Sequence, residues 1–165
     1  QRASLVPIVE PEVLMDGGHT IKKCEDVTTK VLTAVFRKLQ EKGVELANML
    51  LKPNMVLPGK QSGQKATPQE VAEATIRTLK NSVPTSVTGI VFLSGGQTPD
   101  EATANLNEIN KLKGDAPWEL SFSFARALQE EPLGLWQGKD ENITAAQAAF
   151  AKRARLVSLA RQGKL

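Results

Sequence analysis

Hydrophobic and polar positions along the chain repeat one unit, in which a short apolar run precedes a longer segment with helical spacing. The first apolar run, "LVPIVE" at residues 5–10, is followed by a helical stripe with a spacing of four that Gly43 ends. That stripe consists of Val27, Val31, Val35 and Leu39. Further apolar runs occur at residues 48–52, 89–94 and 118–124. Short apolar runs that alternate with helices predict parallel βα units.

Two of the later helices have clear signals at their amino-terminal ends. Thr67 with Glu70, and Thr98 with Glu101, have the spacing of a capping box, and a proline stands at the first helical position of each. Three apolar residues share a face of the second of these helices: Ala102, Leu106 and Ile109. The last predicted helix carries a stripe made of Ile143, Ala146, Phe150, Ala154 and Val157.

Four βα units predict the fold class α/β with a parallel sheet that helices cover. Such units fit an open doubly wound sheet, and they also fit half of a (β/α)8 barrel, which normally needs about 250 residues. The hydrophobic pattern leaves both architectures open.

Composition narrows the class of protein without deciding its function. With 165 residues, 41% hydrophobic and 24% charged, the chain has the composition of one globular domain, and its apolar runs are too short to span a bilayer. Cys24 is the only cysteine, so an intrachain disulfide is excluded and a reducing, cytoplasmic location is predicted. A nucleophilic pair of His19 and Cys24 is disfavoured because nothing near them in sequence suggests an oxyanion site.

The net charge of +3 is modest, and the basic residues cluster near the end of the chain. We interpret this cluster as a solvated helix face, because no aromatic residue follows Phe150 to stack on a base. Neither nucleic acid nor a membrane is therefore predicted as a partner. Trp118 and Trp136 are predicted to pack between the last strand and the helices. The basic cluster consists of Lys152, Arg153, Arg155, Arg161 and Lys164.

A polar or charged residue stands at the end of each apolar run, about one βα unit from the next. These residues are Glu10, Lys52, Ser94 and Arg126. Because the carboxyl ends of parallel strands meet at one edge of a sheet, where barrel enzymes carry their chemistry, we expect the four to share one pocket.

The residue types in this set fit Schiff-base chemistry on a phosphorylated carbonyl compound. Burial among apolar neighbours would lower the pKa of Lys52 and leave an amine that attacks a carbonyl. Glu10 and Glu12, on one face if the segment is extended, could move the proton. The alternative is a lysine whose ammonium simply reaches water along its apolar stem.

Small residues and an arginine suggest a phosphate site beside this lysine. The backbone N–H groups of "SGG", residues 94–96, can approach an anion closely, and Arg126 can bind one through two parallel hydrogen bonds. The alternative for "SGG" is a plain turn before a helix.

Four segments in register resemble the C-terminal half of class I fructose-1,6-bisphosphate aldolase, from about Leu5 to the end: "PIVEPE", "LLKPNMV", "VFLSGGQ" and "SFSFARALQ". The resemblance implies strands five to eight of a (β/α)8 barrel, with residues 1–165 forming one incomplete domain. It implies Lys52 as the Schiff-base nucleophile, Glu10 as the general acid and base, and Glu12 as an active-site neighbour. It also implies a phosphate site made of Ser94, Gly95, Gly96, Ser123 and Arg126.

The function implied by this resemblance is the reversible cleavage of fructose 1,6-bisphosphate to dihydroxyacetone phosphate and glyceraldehyde 3-phosphate, in glycolysis and gluconeogenesis. No metal and no cofactor are expected. Another Schiff-base phosphosugar lyase or transferase is an alternative, and so is a non-catalytic phosphosugar-binding half-barrel. Partners implied are copies of the chain, in a tetramer as in the family, or a complementing amino-terminal half.

The chain departs from the family pattern in three ways. It lacks the family's first four strands, it contains no tyrosine to end the family's C-terminal tail, and Ala125 stands where a glycine is common. Four strands alone would leave two open sheet edges, so the isolated chain is expected to associate.

Overall fold

Four short parallel strands form a single sheet in the order β1–β2–β3–β4. The structure is a computed structural model that describes residues 1–165. The strands are β1 (Ile8–Val9), β2 (Leu50–Leu51), β3 (Gly89–Phe92) and β4 (Glu119–Phe122). The helices are α1 (Ile21–Glu41), α2 (Pro68–Ser82), α3 (Pro99–Leu112), α4 (Arg126–Trp136) and α5 (Ile143–Arg161), and 3-10 turns lie at Leu46–Asn48 and Asp140–Asn142.

The pairing of neighbouring strands shows which residues lie side by side across the sheet. Ile8 lies opposite Leu50, Leu50 opposite Gly89, and Gly89 opposite Glu119. Further backbone hydrogen bonds hold the chain together just beyond the strands, from Lys52 N to Val9 O at 2.8 Å and from Ser123 N to Phe92 O at 2.8 Å. We call the edge of the sheet where the four strands end the carboxyl rim.

One face of the sheet is covered by helices and the other is more open. Leu51, Ile90 and Phe92 point to the helices and are fully buried, together with Leu106 and Ile109 of α3. The opposite face carries Ile8, which is 52% exposed, and the half-buried Leu50, Val91 and Ser121. This arrangement is the one expected of βα units whose second sheet face lines a barrel interior.

The helix starts follow from local sequence as predicted. Thr67 and Thr98 each accept a hydrogen bond from the backbone N–H of the glutamate three residues later, and each glutamate side chain accepts one from the threonine N–H. The two capping boxes are therefore present, each with proline in the first turn. The predicted face of α3, with Ala102, Leu106 and Ile109, is fully buried.

The predicted stripe of α1 is wrong by one position. Its valines and Leu39 are only half-buried, while the buried face consists of Cys24, Glu25, Thr28, Leu32 and Phe36. Leu32 and Phe36 on this face belong to the main hydrophobic core, and Thr28 is buried with its hydroxyl accepting a hydrogen bond from Asn54 Nδ2. The valine spacing misses this face because two of its five residues, Glu25 and Thr28, are polar and their partners lie on other segments.

Helix α5 contains two more corrections. Ile143 and Phe150 are exposed, whereas Ala149, Val157 and Ala160 are buried. Arg153, predicted to lie on a solvated face, is 3% exposed, although the other members of the basic cluster are exposed. Its guanidinium donates to Asp100 Oδ1, Pro99 O and Thr103 Oγ1, each at 2.7 Å, which satisfies most of the charge that burial removes from water.

The two tryptophans differ from each other. Trp118 is buried at the start of β4 and donates from Nε1 to Pro84 O at 3.0 Å, as a packing residue should. Trp136, at the end of α4, is 41% exposed, so its predicted packing role is wrong.

No helix combines the length and the apolar composition that crossing a bilayer requires.

Candidate active site

Lys52 and Glu10 lie side by side at the carboxyl rim. Each residue directly follows its strand, β2 or β1, and the hydrogen bond from Lys52 N to Val9 O aligns the two chains at that point. The Lys52 Nζ lies 3.1 Å from Glu10 Oε1. The lysine side chain is 19% exposed and the glutamate side chain is 49% exposed, so the pair opens to solvent on the glutamate side.

This geometry gives a lysine with one acidic partner between buried apolar neighbours in the sequence. Leu51 and Pro53, on either side of Lys52, are buried. The Nζ therefore leaves the sheet through apolar surroundings and reaches a carboxylate at hydrogen-bonding distance. A proton can pass between the two groups, which is what an amine nucleophile requires before it attacks a carbonyl.

Glu12 lies near the turn that follows β3. A Cβ placed on Gly95 would lie 3.8 Å from Glu12 Oε1. Val13, next to Glu12, donates its backbone N–H to Asn54 Oδ1 at 2.9 Å, which fixes the direction of the segment. The second glutamate thus borders the residue 94–96 turn.

The turn at residues 94–96 depends on its glycines. Gly95 and Gly96 have φ values of +59° and +82°, a left-handed region that side chains disfavour. Buried Gln97 closes the turn, since its backbone N–H donates to Ser94 O at 3.0 Å and its Nε2 donates to the same oxygen at 2.8 Å. Asn105 on α3 in turn donates to Gln97 Oε1 at 2.7 Å. The N–H groups of Gly95 and Gly96 donate to no other backbone group, and successive free N–H groups in a turn are a recurrent anion-binding form.

Arg126 begins α4 and faces this turn. Its Nη2 lies 3.8 Å from the position a Cβ on Gly96 would occupy, and it has no ion pair with an acidic side chain. Ser123 is half-buried where β4 ends, held by its backbone bond to Phe92 O. Ala125 has φ −96°, so the residue that departs from the family's glycine does not adopt the left-handed backbone that favours glycine.

The structure thus brings the predicted residues to two adjoining places on one rim. Lys52 and Glu10 form an ion pair, and Glu12 extends from them toward the turn at Ser94, Gly95 and Gly96. Arg126 lies beside Gly96 of that turn, and Ser123 lies at the end of the neighbouring strand.

Asn54, which the sequence did not single out, ties the segment after Lys52 to the segment after Glu12. The residue is 6% exposed, and besides accepting from Val13 N it donates from Nδ2 to Thr28 Oγ1 at 3.2 Å and to Met55 O at 3.0 Å. It therefore joins the glutamate segment, the lysine segment and α1. Its only sequence signal was its position two residues after Lys52, which by itself says nothing about its partners.

The pair of His19 and Cys24 offers no competing nucleophile. Cys24 is 3% exposed, and burial raises the pKa of its thiol, which keeps the sulfur protonated and unreactive. No group of three or more metal-ligating side chains is present either.

A lysine paired with a carboxylate, on the same carboxyl rim of βα units as a glycine turn, is an arrangement typical of barrel enzymes that use a Schiff base. A sequence model of the family described as "Fructose-bisphosphate aldolase class-I" matches residues 1–165. The chain belongs to this family.

Individual relatives agree over nearly the whole chain. It is 53% identical over 163 residues to fructose-bisphosphate aldolase 4, cytosolic, of Arabidopsis thaliana, covering 99% of this chain and 42% of the relative. It is 53% identical over 164 residues to fructose-bisphosphate aldolase B of Gallus gallus, covering 99% and 45%.

A solved structure agrees in three dimensions. Fructose-bisphosphate aldolase from Plasmodium falciparum, solved with TRAP and a small-molecule inhibitor, is 54% identical with a TM-score of 0.94, covering 97% of this chain and 46% of that one. The predicted fold class, four βα units of a (β/α)8 barrel, is confirmed. The chain spans less than half the length of these relatives.

Proposed function

We propose that this chain supplies the Schiff-base half of a class I fructose-bisphosphate aldolase, which reversibly cleaves fructose 1,6-bisphosphate to dihydroxyacetone phosphate and glyceraldehyde 3-phosphate. The observation that carries the proposal is the 3.1 Å contact between Lys52 Nζ and Glu10 Oε1 on the same rim as the residue 94–96 turn. Sequence identity above 50% to named aldolases supports the same reaction.

In the first step, Lys52 transfers a proton to Glu10, and its free amine attacks the C2 ketone of the sugar. Glu10 then returns the proton to the carbinolamine hydroxyl, which leaves as water and produces the iminium ion. The positive nitrogen withdraws electrons from C3. The short Nζ to Oε1 distance lets one carboxylate serve both proton transfers.

In the second step, the same carboxylate accepts the proton of the C4 hydroxyl while the C3–C4 bond breaks. Glyceraldehyde 3-phosphate leaves, and an enamine remains on Lys52. Glu10 gives its proton to C3, and water hydrolyses the resulting iminium to dihydroxyacetone phosphate and the free lysine. Protons and electrons balance with no added reactant other than the water released and taken up.

The phosphate next to the ketone would bind at the turn and its surroundings. The N–H groups of Gly95 and Gly96, the hydroxyls of Ser94 and Ser123, and the Arg126 guanidinium are donors that suit a phosphate dianion. We assign these five residues to substrate binding, and Glu12 to the space between this phosphate and the lysine.

The whole catalytic unit would need more than this chain. Strands β1 and β4 each have one neighbour, so both edges of the sheet are open, and relatives are more than twice as long. We propose that a polypeptide carrying the remaining barrel strands, or a second copy of the chain, covers these edges, within a homo-oligomer in the cytoplasm. Residues 1–165 would then form one incomplete barrel domain.

A coupled assay for triose phosphate release tests this function. With the chain alone we expect imine formation but slow cleavage, because two copies supply the same residues twice. Adding a polypeptide that carries the amino-terminal half of a relative should raise turnover. A chain that binds substrate without forming an imine would instead support a non-catalytic phosphosugar-binding half-barrel. Cleavage of a different phosphosugar in preference would support another Schiff-base enzyme.

A further inference from the structure

A second cation reaches the residue 94–96 turn from a different part of the chain. Lys60 lies in the long loop between β2 and α2, and its side chain extends to Gly96. A Cβ placed on Gly96 would lie 3.1 Å from Lys60 Nζ and 3.8 Å from Arg126 Nη2. The two cationic groups therefore lie above the same backbone position, no farther apart than the sum of these distances.

Neither cation is neutralised by the protein. The ion pairs of the chain include neither Lys60 nor Arg126, and no side-chain hydrogen bond involves the Lys60 amine. Glu12 lies close to Gly95, but it makes no ion pair with Lys60. Two unpaired positive charges that converge on exposed N–H groups repel each other, and a bound anion would relieve that repulsion.

The backbone of Lys60 is held in place, so the fold fixes the point from which its side chain reaches toward Gly96. Its N–H donates to Met15 O at 2.7 Å, and the preceding Gly59 donates to His19 O at 2.8 Å. Gly59 packs so tightly that a Cβ there would lie 2.2 Å from Gly17 O. Ser62 Oγ closes the loop by donating to Gly59 O at 2.6 Å. With the backbone fixed, only rotation about the side-chain bonds of Lys60 changes the position of its amine.

We propose that Lys60 is a phosphate-binding residue, which contacts the same phosphate that the residue 94–96 turn and Arg126 hold. This inference rests on the proposed function for the identity of the phosphate, as that of a phosphorylated ketone. Arg126 binds through a planar fork, whereas the Lys60 ammonium acts as a compact point charge from the loop side. The two cations together match the double negative charge of a phosphate monoester.

Binding of inorganic phosphate, followed by titration calorimetry on the chain in the assembly it forms in solution, tests Lys60 directly. Lys60→Met should weaken binding about tenfold, the scale of one charge-assisted contact at an exposed position. Lys65→Met is the matched control, because Lys65 lies in the same loop and does not approach Gly96. Equal affinities for the two variants would overturn the proposal.

Imine trapping with borohydride links this result to the substrate. Lys60→Met should raise the half-saturating concentration of dihydroxyacetone phosphate about tenfold and leave that of unphosphorylated dihydroxyacetone unchanged. Equal changes for both ketones, or none, would overturn the role of Lys60. A third result is an unaltered chain that forms no imine while Lys60→Met still weakens the binding of inorganic phosphate. That result would refute the proposed function and support Lys60 as a phosphate-binding residue.

Discussion

Two ion pairs in this molecule each join a glutamate to a basic side chain, but only one of them can transfer a proton. Glu25 of α1 and Arg77 of α2 form a two-point contact, at 2.7 Å from Nε and 3.0 Å from Nη2, and the Glu25 side chain is only 11% exposed. Lys52 and Glu10 share one contact of 3.1 Å at the carboxyl rim, with the carboxylate half exposed. The first pair joins two helices, and the second faces the open side of the sheet.

The cation and the number of contacts decide whether each pair can transfer a proton. A guanidinium stays protonated and binds a carboxylate as a fork, so the Glu25–Arg77 pair has no mobile proton. An ammonium can lose its proton, and a single contact lets the carboxylate turn between the amine and a substrate.

Removing the carboxylate of the reactive pair should have the largest effect. Glu10→Gln keeps the shape of the side chain but cannot accept a proton, so imine formation with dihydroxyacetone phosphate should slow about a hundredfold or more. Borohydride added at successive times after mixing traps the imine and so measures the rate at which it forms. Glu25→Gln is the control, and its rate should match that of the unaltered chain.

Removing the arginine beside the residue 94–96 turn should weaken the binding of the phosphorylated ketone and leave that of the unphosphorylated ketone unchanged. Arg126→Ala should weaken the binding of dihydroxyacetone phosphate by about 2 to 4 kcal/mol, because a charge-assisted contact to phosphate is lost. Unphosphorylated dihydroxyacetone should bind as before. Equal losses for the two ketones would mean that Arg126 maintains the fold instead of binding phosphate.

Removing Asn54 should slow the reaction beyond its effect on stability. Asn54→Ala leaves Val13 N–H without its acceptor, which loosens the glutamate segment and should slow imine formation about tenfold. Asn107→Ala is a matched control, since Asn107 is also 6% exposed and its side chain binds both backbone atoms of Leu165, far from the rim. Both variants should lose about 1 to 3 kcal/mol of stability. Equal imine rates would refute the positioning role.

Breaking the structural pair should have the smallest effect, and that effect should depend on pH. The hydrogen bond from Arg77 holds the pKa of the Glu25 carboxyl below its usual value of 4.5, so the pair stabilises the folded chain above that pH. The contribution is lost as the pH falls through the lowered pKa. Urea unfolding of Arg77→Met should therefore show a deficit of about 1 kcal/mol or less at pH 7 that shrinks toward pH 3. A deficit that is constant with pH would assign the loss to packing.

Local signals predicted much of the fold and the positions of the reactive residues. The capping boxes at Thr67 and Thr98 involve residues only three apart, so the sequence contains both partners of each hydrogen bond. The strand ends also follow from short apolar runs, and parallel pairing brings Lys52 and Glu10 together whatever covers the rest of the sheet.

Partners that are distant in sequence explain what was missed. Arg153 is buried because Asp100 and Thr103, about fifty residues earlier, receive its hydrogen bonds. Likewise, Asn54 accepts a hydrogen bond from Val13 across forty-one residues and donates one to the buried Thr28 of α1. Periodicity measures apolar residues within one helix, so it cannot report a polar contact that another segment provides.

Lys52 is the residue that forms the imine in the proposed reaction, and covalent trapping tests this role directly. Dihydroxyacetone phosphate and borohydride should label the chain once, and peptide mapping should find the secondary amine at Lys52. Lys52→Arg should abolish the label, since a guanidinium keeps the charge but cannot form an imine. Labelling that is undiminished in Lys52→Arg, or that maps to another lysine, would contradict the account.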